Sequence, residues 1–236
     1  MIASLPMYDR VELRKETDAL WSAIRDAVRA RGMDAPETLD RETETANVWT
    51  DPAMVLSQTC GMPLRLGLYT KTQLIGTPDY GVAGCPPGYY RSIIIVRADE
   101  PGETRADFAN GTCAFNARDS QSGFAAWEGA EFSTWLHSGA HGESIKAVAN
   151  GNADIAAIDA VTWRLAERYD PEVAALRVLE TTKATPGLPF ITSKHQNAGA
   201  LSEAVSEAIN GLDSSTRDAL SLTGLVPIPS ADYLAA

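Results

Sequence analysis

The segment NARDSQSGFAAW, residues 116–127, places Asp119, Ser120, Gln121, Ser122 and Gly123 in consecutive positions. Two hydroxyls, a carboxamide and a glycine just ahead of a segment with helical potential offer two readings. Asp119 or Ser120 caps a helix, as such residues commonly do. Alternatively, the hydroxyls join the free N–H groups of a helix start to hold an oxyanion without any Lys or Arg. Two further junctions carry similar chemistry. In SGAHGESIKAV, His141 falls at or just before a helix start, where it either caps or donates to an anion. In ADIAAIDAVTW, Asp159 ends an apolar strand and begins a helix, so it either caps or accepts a proton-bearing oxygen or an amine. Nearer the N-terminus, Tyr8 in SLPMYD, Gln58 and Thr59 in LSQTCG and Tyr80 in GTPDY stand just past strand candidates. Each of these is individually weak, and their convergence carries more than any one of them.

These positions make sense only if an alternating α/β chain sets them at strand–helix junctions, where open sheets gather ligands. The 236 residues, 44% hydrophobic and 22% charged, suffice for one large domain or two small ones. IASLPM is a strand candidate. Asp9, with Glu12 three residues on, is a plausible N-cap for a helix that places Leu13, Leu20, Ile24, Ala27 and Val28 on one face and stops at Gly32. AMVLSQ reads as a buried strand ending in the turn TCGMP, TQLIGTPDY as another strand, and YYRSIIIVRAD as the most β-prone stretch. The change of texture at PGETRADF places a crossing into a second lobe near residue 97. There GTCAFN reads as a strand, GFAAWEGAEFSTWL as a helix, HGESIKAVANG as a helix, ADIAAID as a strand, AVTWRLAERYDP as a helix ended by Pro171, and LRVLETT as a strand. GLPFITS returns to the first lobe, and NAGALSEAVSEAING closes with an amphipathic helix. The expected domains are therefore residues 1–97 with 187–236 as one lobe and 98–186 as the other.

Composition narrows the function. A net charge of −11 argues against a nucleic-acid or anionic-membrane partner. No segment is long enough to span a bilayer, and MIASLPMYDR has neither the basic start nor the apolar run of a signal peptide, which leaves a cytoplasmic chain or one numbered after a removed leader. Cys60, Cys85 and Cys113 fit no zinc spacing, and Cys60 and Cys85 can pair if the chain is exported. There is no GxSxG, HExxH, Walker A or GxGxxG signature, so no catalytic residue, metal or cofactor is expected.

Nearly the whole chain resembles the phosphate/phosphite/phosphonate substrate-binding proteins of ABC transporters, in the type II periplasmic-binding-protein superfamily. The resemblance rests on SLPMYD, YYRSIIIVRAD, DSQSG after a short strand, HGESIKAVANG leading to DIAAIDAVTW, and PGLPFITS; SQTCG and GCPPGYYRS mark a subgroup. It implies a two-lobed α/β fold with two crossings and a ligand cleft at the lobe interface. Ser120, Gln121 and Ser122 would hold the oxyanion, with His141 and Asp159 beside them, Tyr8 and Tyr80 facing them and Thr59 as a looser contact. The resemblance further implies a monomer that is not an enzyme, works in the periplasm, takes a small oxyanion and presents it to an ABC permease. A cytoplasmic enzyme or a ligand sensor on the same fold is the alternative. Gln121 stands where better-known phosphonate binders carry a smaller hydroxyl residue.

Overall fold

The computed structural model describes residues 1–235. The chain divides into two compact units, Met1–Tyr89 with Pro186–Ala236, and Tyr90–Thr185.

In the first unit, β1 (Ile2–Ala3), β2 (Met54–Gln58), β3 (Thr72–Asp79), β11 (Phe190–Ser193) and β12 (Gly224–Val226) form one sheet in the order β1-β2-β11-β3-β12. β1 runs parallel to β2, whereas β11 is antiparallel to both β2 and β3. β2 is buried at all five positions, which is why Met54, Val55 and Leu56 follow one another as apolar residues instead of alternating with polar ones. One face is covered by α1 (Arg14–Ala30) and α6 (Ala198–Gly211). Leu20, Trp21, Ile24 and Val28 meet Leu201, Ala204, Val205 and Ile209 over Val55, Leu56, Ile75 and Phe190. The opposite face packs Met54 and Ile191 against Val48 of α2 (Thr45–Thr50), Leu64 of α3 (Gly61–Arg65) and Tyr233 of α8 (Ser230–Ala235). The Tyr233 hydroxyl bonds to Thr77 Oγ1, and burial raises the phenol's pKa.

In the second unit, β5 (Ser92–Arg97), β6 (Thr112–Phe115), β7 (Thr134–His137), β8 (Ile155–Asp159) and β9 (Leu176–Thr181) are ordered β7-β6-β8-β5-β9. β6 is parallel to β7 and β8, and β5 enters antiparallel between β8 and β9. The Ile93–Val96 run divides with a period of two: Ile95 joins Ile145, Val148 and Trp163 under α4 (His141–Ala149) and α5 (Ala160–Tyr169), while Ile94 and Val96 join Phe108, Cys113 and Trp127 on the other face. The crossings between units lie at β4 (Tyr89–Tyr90) and β10 (Thr185–Pro186), which pair as a two-stranded sheet.

Four expectations change. β5 pairs with β8 and β9 and so belongs to the second unit, ahead of the crossing read near residue 97. Asp9 does not cap α1: it meets Arg41 Nε at 2.6 Å, and the helix begins only at Arg14 after a 3-10 turn. TCGMP is not merely a turn, since α3 starts at Gly61. The stretch GFAAWEGAEFSTWL is not a helix. It forms turns, a 3-10 turn at Ala125–Trp127 and then the edge strand β7, whose Thr134 to His137 pair in register with Thr112 to Phe115. Gly129, at φ 76°, and the β-branched and aromatic residues Thr134 and Trp135 favour a turn followed by a strand over a continuous helix. The C-terminal α7 (Ser214–Leu220), β12 and α8 were not read from the sequence.

Candidate functional site

The DSQSG turn is built from its serines. β6 delivers the chain at Phe115, and Ser120 N–H closes a turn on the Ala117 carbonyl at 3.1 Å. The Ser120 carbonyl then accepts from Phe124 and Ala125 N–H at 3.2 and 3.0 Å, and the Ser120 hydroxyl oxygen accepts from Gly123 N–H at 3.0 Å. Ser92, the first residue of β5, donates its hydroxyl to the Ser122 carbonyl at 2.9 Å. These bonds hold Ser120, Gln121 and Ser122 in place at 6%, 9% and 5% exposure.

The same bonds leave two donors over. Among the described residues, nothing accepts from the Ser122 N–H or takes the Ser120 hydroxyl proton. Because no continuous helix starts here, the expected helix dipole does not act on the loop. The donors are those of a tight turn, a concavity of N–H and O–H groups of the kind that suits an anion. The neighbouring cation, Arg118, lies with its guanidinium 5.5 and 5.4 Å from the ring centres of Phe115 and Phe124.

His141 is the first residue of α4, and its Nε2 lies 2.9 Å from Ser122 Oγ. The residue is partly exposed, yet its Nδ1 is enclosed and makes no well-formed hydrogen bond. Burial pushes the imidazole down to about 4, and the backbone of Ala157 offsets this only in part, so the ring is neutral near pH 7. Asp159, 2% exposed, ends β8 opposite Ser92 and caps α5: its Oδ1 accepts from Val161 and Thr162 N–H at 2.8 and 2.9 Å. The capping role anticipated for it is thus realised. Sequence reading missed Ser92, which ties the loop to the central strand, and Asn116, which packs against Gly123; both look like ordinary strand-end residues.

Gly123 is required by a close approach. A Cβ added there would lie 1.9 Å from Asn116 Oδ1 and 3.1 Å from His141 Cε1, so only glycine lets the loop pass between these two side chains.

In the first unit, Tyr8 and Tyr80 stack edge to face, with ring centres 4.9 Å apart. The buried Gln58 at the end of β2 donates to Tyr80 Oη at 3.1 Å and to the Leu188 carbonyl at 3.0 Å. Thr59 is fully buried, its N–H on the Pro189 carbonyl at 3.2 Å. Tyr8, Gln58 and Tyr80 therefore form one cluster with Thr59 adjoining in sequence, as Ser120, Ser122 and His141 form another in the second unit. Cys60, Cys85 and Cys113 are thiols in this structure, and burial raises that of Cys113. Among the described residues there is no cluster able to hold a metal ion and no helix long and apolar enough to cross a membrane.

Solved structures share this architecture. PhnD1 from Prochlorococcus marinus in complex with methylphosphonate superposes with a TM-score of 0.73 at 14% identity, covering 98% of this chain and 94% of its own. A binding protein component of an ABC phosphonate transporter from Pseudomonas aeruginosa gives 0.68 at 14%, covering 99% and 82%. A Xanthomonas citri protein bound to chloride ion gives 0.72 at 15%, covering 100% and 94%. At these identities the likeness establishes the fold, that of the periplasmic binding proteins. No curated protein matches the sequence. The family described as the periplasmic substrate-binding protein of phosphonate ABC transporters matches residues 70–233, well over half of the chain. The chain belongs to that family of substrate-binding proteins.

Proposed function

We propose that this solute-binding protein takes a small tetrahedral oxyanion of the phosphate, phosphite or phosphonate class. The observation that carries the reading is the pair of buried donors, Ser122 N–H and the Ser120 hydroxyl, that no described residue accepts from. Buried donors are normally satisfied, and an anion satisfies both at once. Arg118, the cation at the turn, is stacked on Phe115 and Phe124, which fits an anion held by oriented dipoles and not by a counter-ion. In this reading Ser120, Gln121, Ser122, His141 and Asp159 of the second unit and Tyr8, Thr59 and Tyr80 of the first are the ligand's contacts. The neutral His141 orients the Ser122 hydroxyl, and the Asp159 carboxylate favours a ligand that carries a proton or an amine, since two bare anions would repel. The family supports the periplasm as the compartment and an ABC permease as the membrane partner, and the proposed working form is a monomer.

Melting the protein with phosphate, phosphite, methylphosphonate, a carboxylate and an amine tests the class. At about one hundred times the dissociation constant, a true ligand stabilises the bound state by roughly 2.7 kcal/mol. If the carboxylate or the amine raises the transition and the three phosphorus oxyanions do not, the proposal is wrong.

A further inference from the structure

Asn116, the residue immediately after β6, is half-buried, and its carboxamide oxygen is enclosed with no hydrogen-bond partner. That oxygen lies over the Cα of Gly123, where an added Cβ would be only 1.9 Å from it and 3.1 Å from His141 Cε1. The residue after Gly123's N-terminal neighbour is thus hemmed in by Asn116 on one side and, on the other, by the imidazole that bonds Ser122 at 2.9 Å. Folding gains nothing from an acceptor kept in this condition, because an apolar side chain of the same shape would remove the desolvation penalty without losing a bond. A local rule broken at a ligand-facing turn points to use by the ligand.

Resting on the oxyanion reading above, we propose that Asn116 is a specificity-determining residue whose carboxamide oxygen accepts the hydroxyl proton of a monoprotonated oxyanion. The donors at Ser120 and Ser122 hold any tetrahedral anion equally well. An acceptor beside them makes a choice: a hydrogen phosphate or hydrogen phosphonate satisfies it, while a fully ionised sulfate presents it only with lone pairs. The same step accounts for the glycine at position 123, since the carboxamide must approach the turn closely to share its ligand.

Titration calorimetry of the full chain with methylphosphonate, inorganic phosphate and sulfate decides it. Wild type binds the first two and excludes sulfate. Asn116→Leu weakens both at least tenfold, narrows the preference over sulfate, and leaves the melting temperature of the ligand-free protein unchanged or higher. Asn116→Ala gives the same ranking and decides the matter if the leucine variant does not fold. Wild-type affinity and preference in the variants overturn the proposal, as does a lowered melting temperature with the preference over sulfate intact, which marks Asn116 as structural. If wild type binds neither methylphosphonate nor phosphate, the oxyanion reading itself falls, an outcome distinct from the failure of Asn116 alone.

Discussion

Replacing His141 with Gln, and comparing the two proteins at two pH values, tests whether the imidazole is held neutral beside Ser122. Burial lowers its pKa from 6.5 to about 4. As pH falls, the unfolded chain takes up this proton around 6.5 while the folded chain resists until about 4. The stability held by the neutral ring is therefore fully present above pH 7 and is lost as pH falls toward 4. Over the whole window the loss is about 3 kcal/mol, of which about 2 kcal/mol is gone by pH 5. Wild type alone would mislead below pH 5, where Asp79 and Asp107, held below the ordinary carboxylate range by hydrogen bonds, lose stability in the same direction. The difference between wild type and His141→Gln isolates the imidazole. Urea unfolding followed by tryptophan fluorescence at pH 8 and pH 5 is the assay. At pH 8 the variant should be less stable by roughly 1 kcal/mol, the worth of the bond to Ser122. By pH 5 the balance should shift by about 2 kcal/mol, turning the deficit into an advantage of about 1 kcal/mol. A deficit that stays the same to within about 0.5 kcal/mol refutes the buried neutral histidine.

Gly123→Ala forces a Cβ to 1.9 Å from Asn116 Oδ1; it should cost about 1–3 kcal/mol in denaturant unfolding and weaken phosphonate binding in calorimetry, whereas unchanged values would mean that the turn is not packed as described. Asp159→Ala removes the α5 cap and should destabilise by about 1 kcal/mol, while Asp159→Asn, which keeps an acceptor for Val161 and Thr162 N–H, should stay near wild type in stability. If the carboxylate also acts on the ligand, the asparagine variant nevertheless binds about tenfold more weakly; equal affinity would confine Asp159 to capping.

The strands and long helices were legible because their burial is continuous or strictly periodic: the all-buried β2, the Ile93–Val96 run and the faces of α1, α4 and α6 left little choice. What misled was local. GFAAWEGAEFSTWL has enough alanine and enough apolar spacing to suggest a helix, but its second half is claimed by β6 as an edge strand, a decision made by tertiary pairing that no window of the sequence contains. Asp9 looked like a cap and instead serves Arg41, which is remote in sequence and close in space. The candidate site was legible at Ser120, Ser122 and His141 because they sit at junctions, and the structure joins Ser122 to His141 directly. Ser92 and Asn116 gave no signal, since a serine opening a strand and an asparagine closing one are unremarkable until the loop between them is folded.

The central claim is that the Ser122 N–H waits for an anion. Its amide resonance, assigned by 15N NMR and followed during titration with methylphosphonate, measures this directly. A saturable downfield shift of the Ser122 amide proton, matched to the calorimetric binding curve, is the predicted result; saturable binding that leaves the Ser122 amide unmoved would contradict the account.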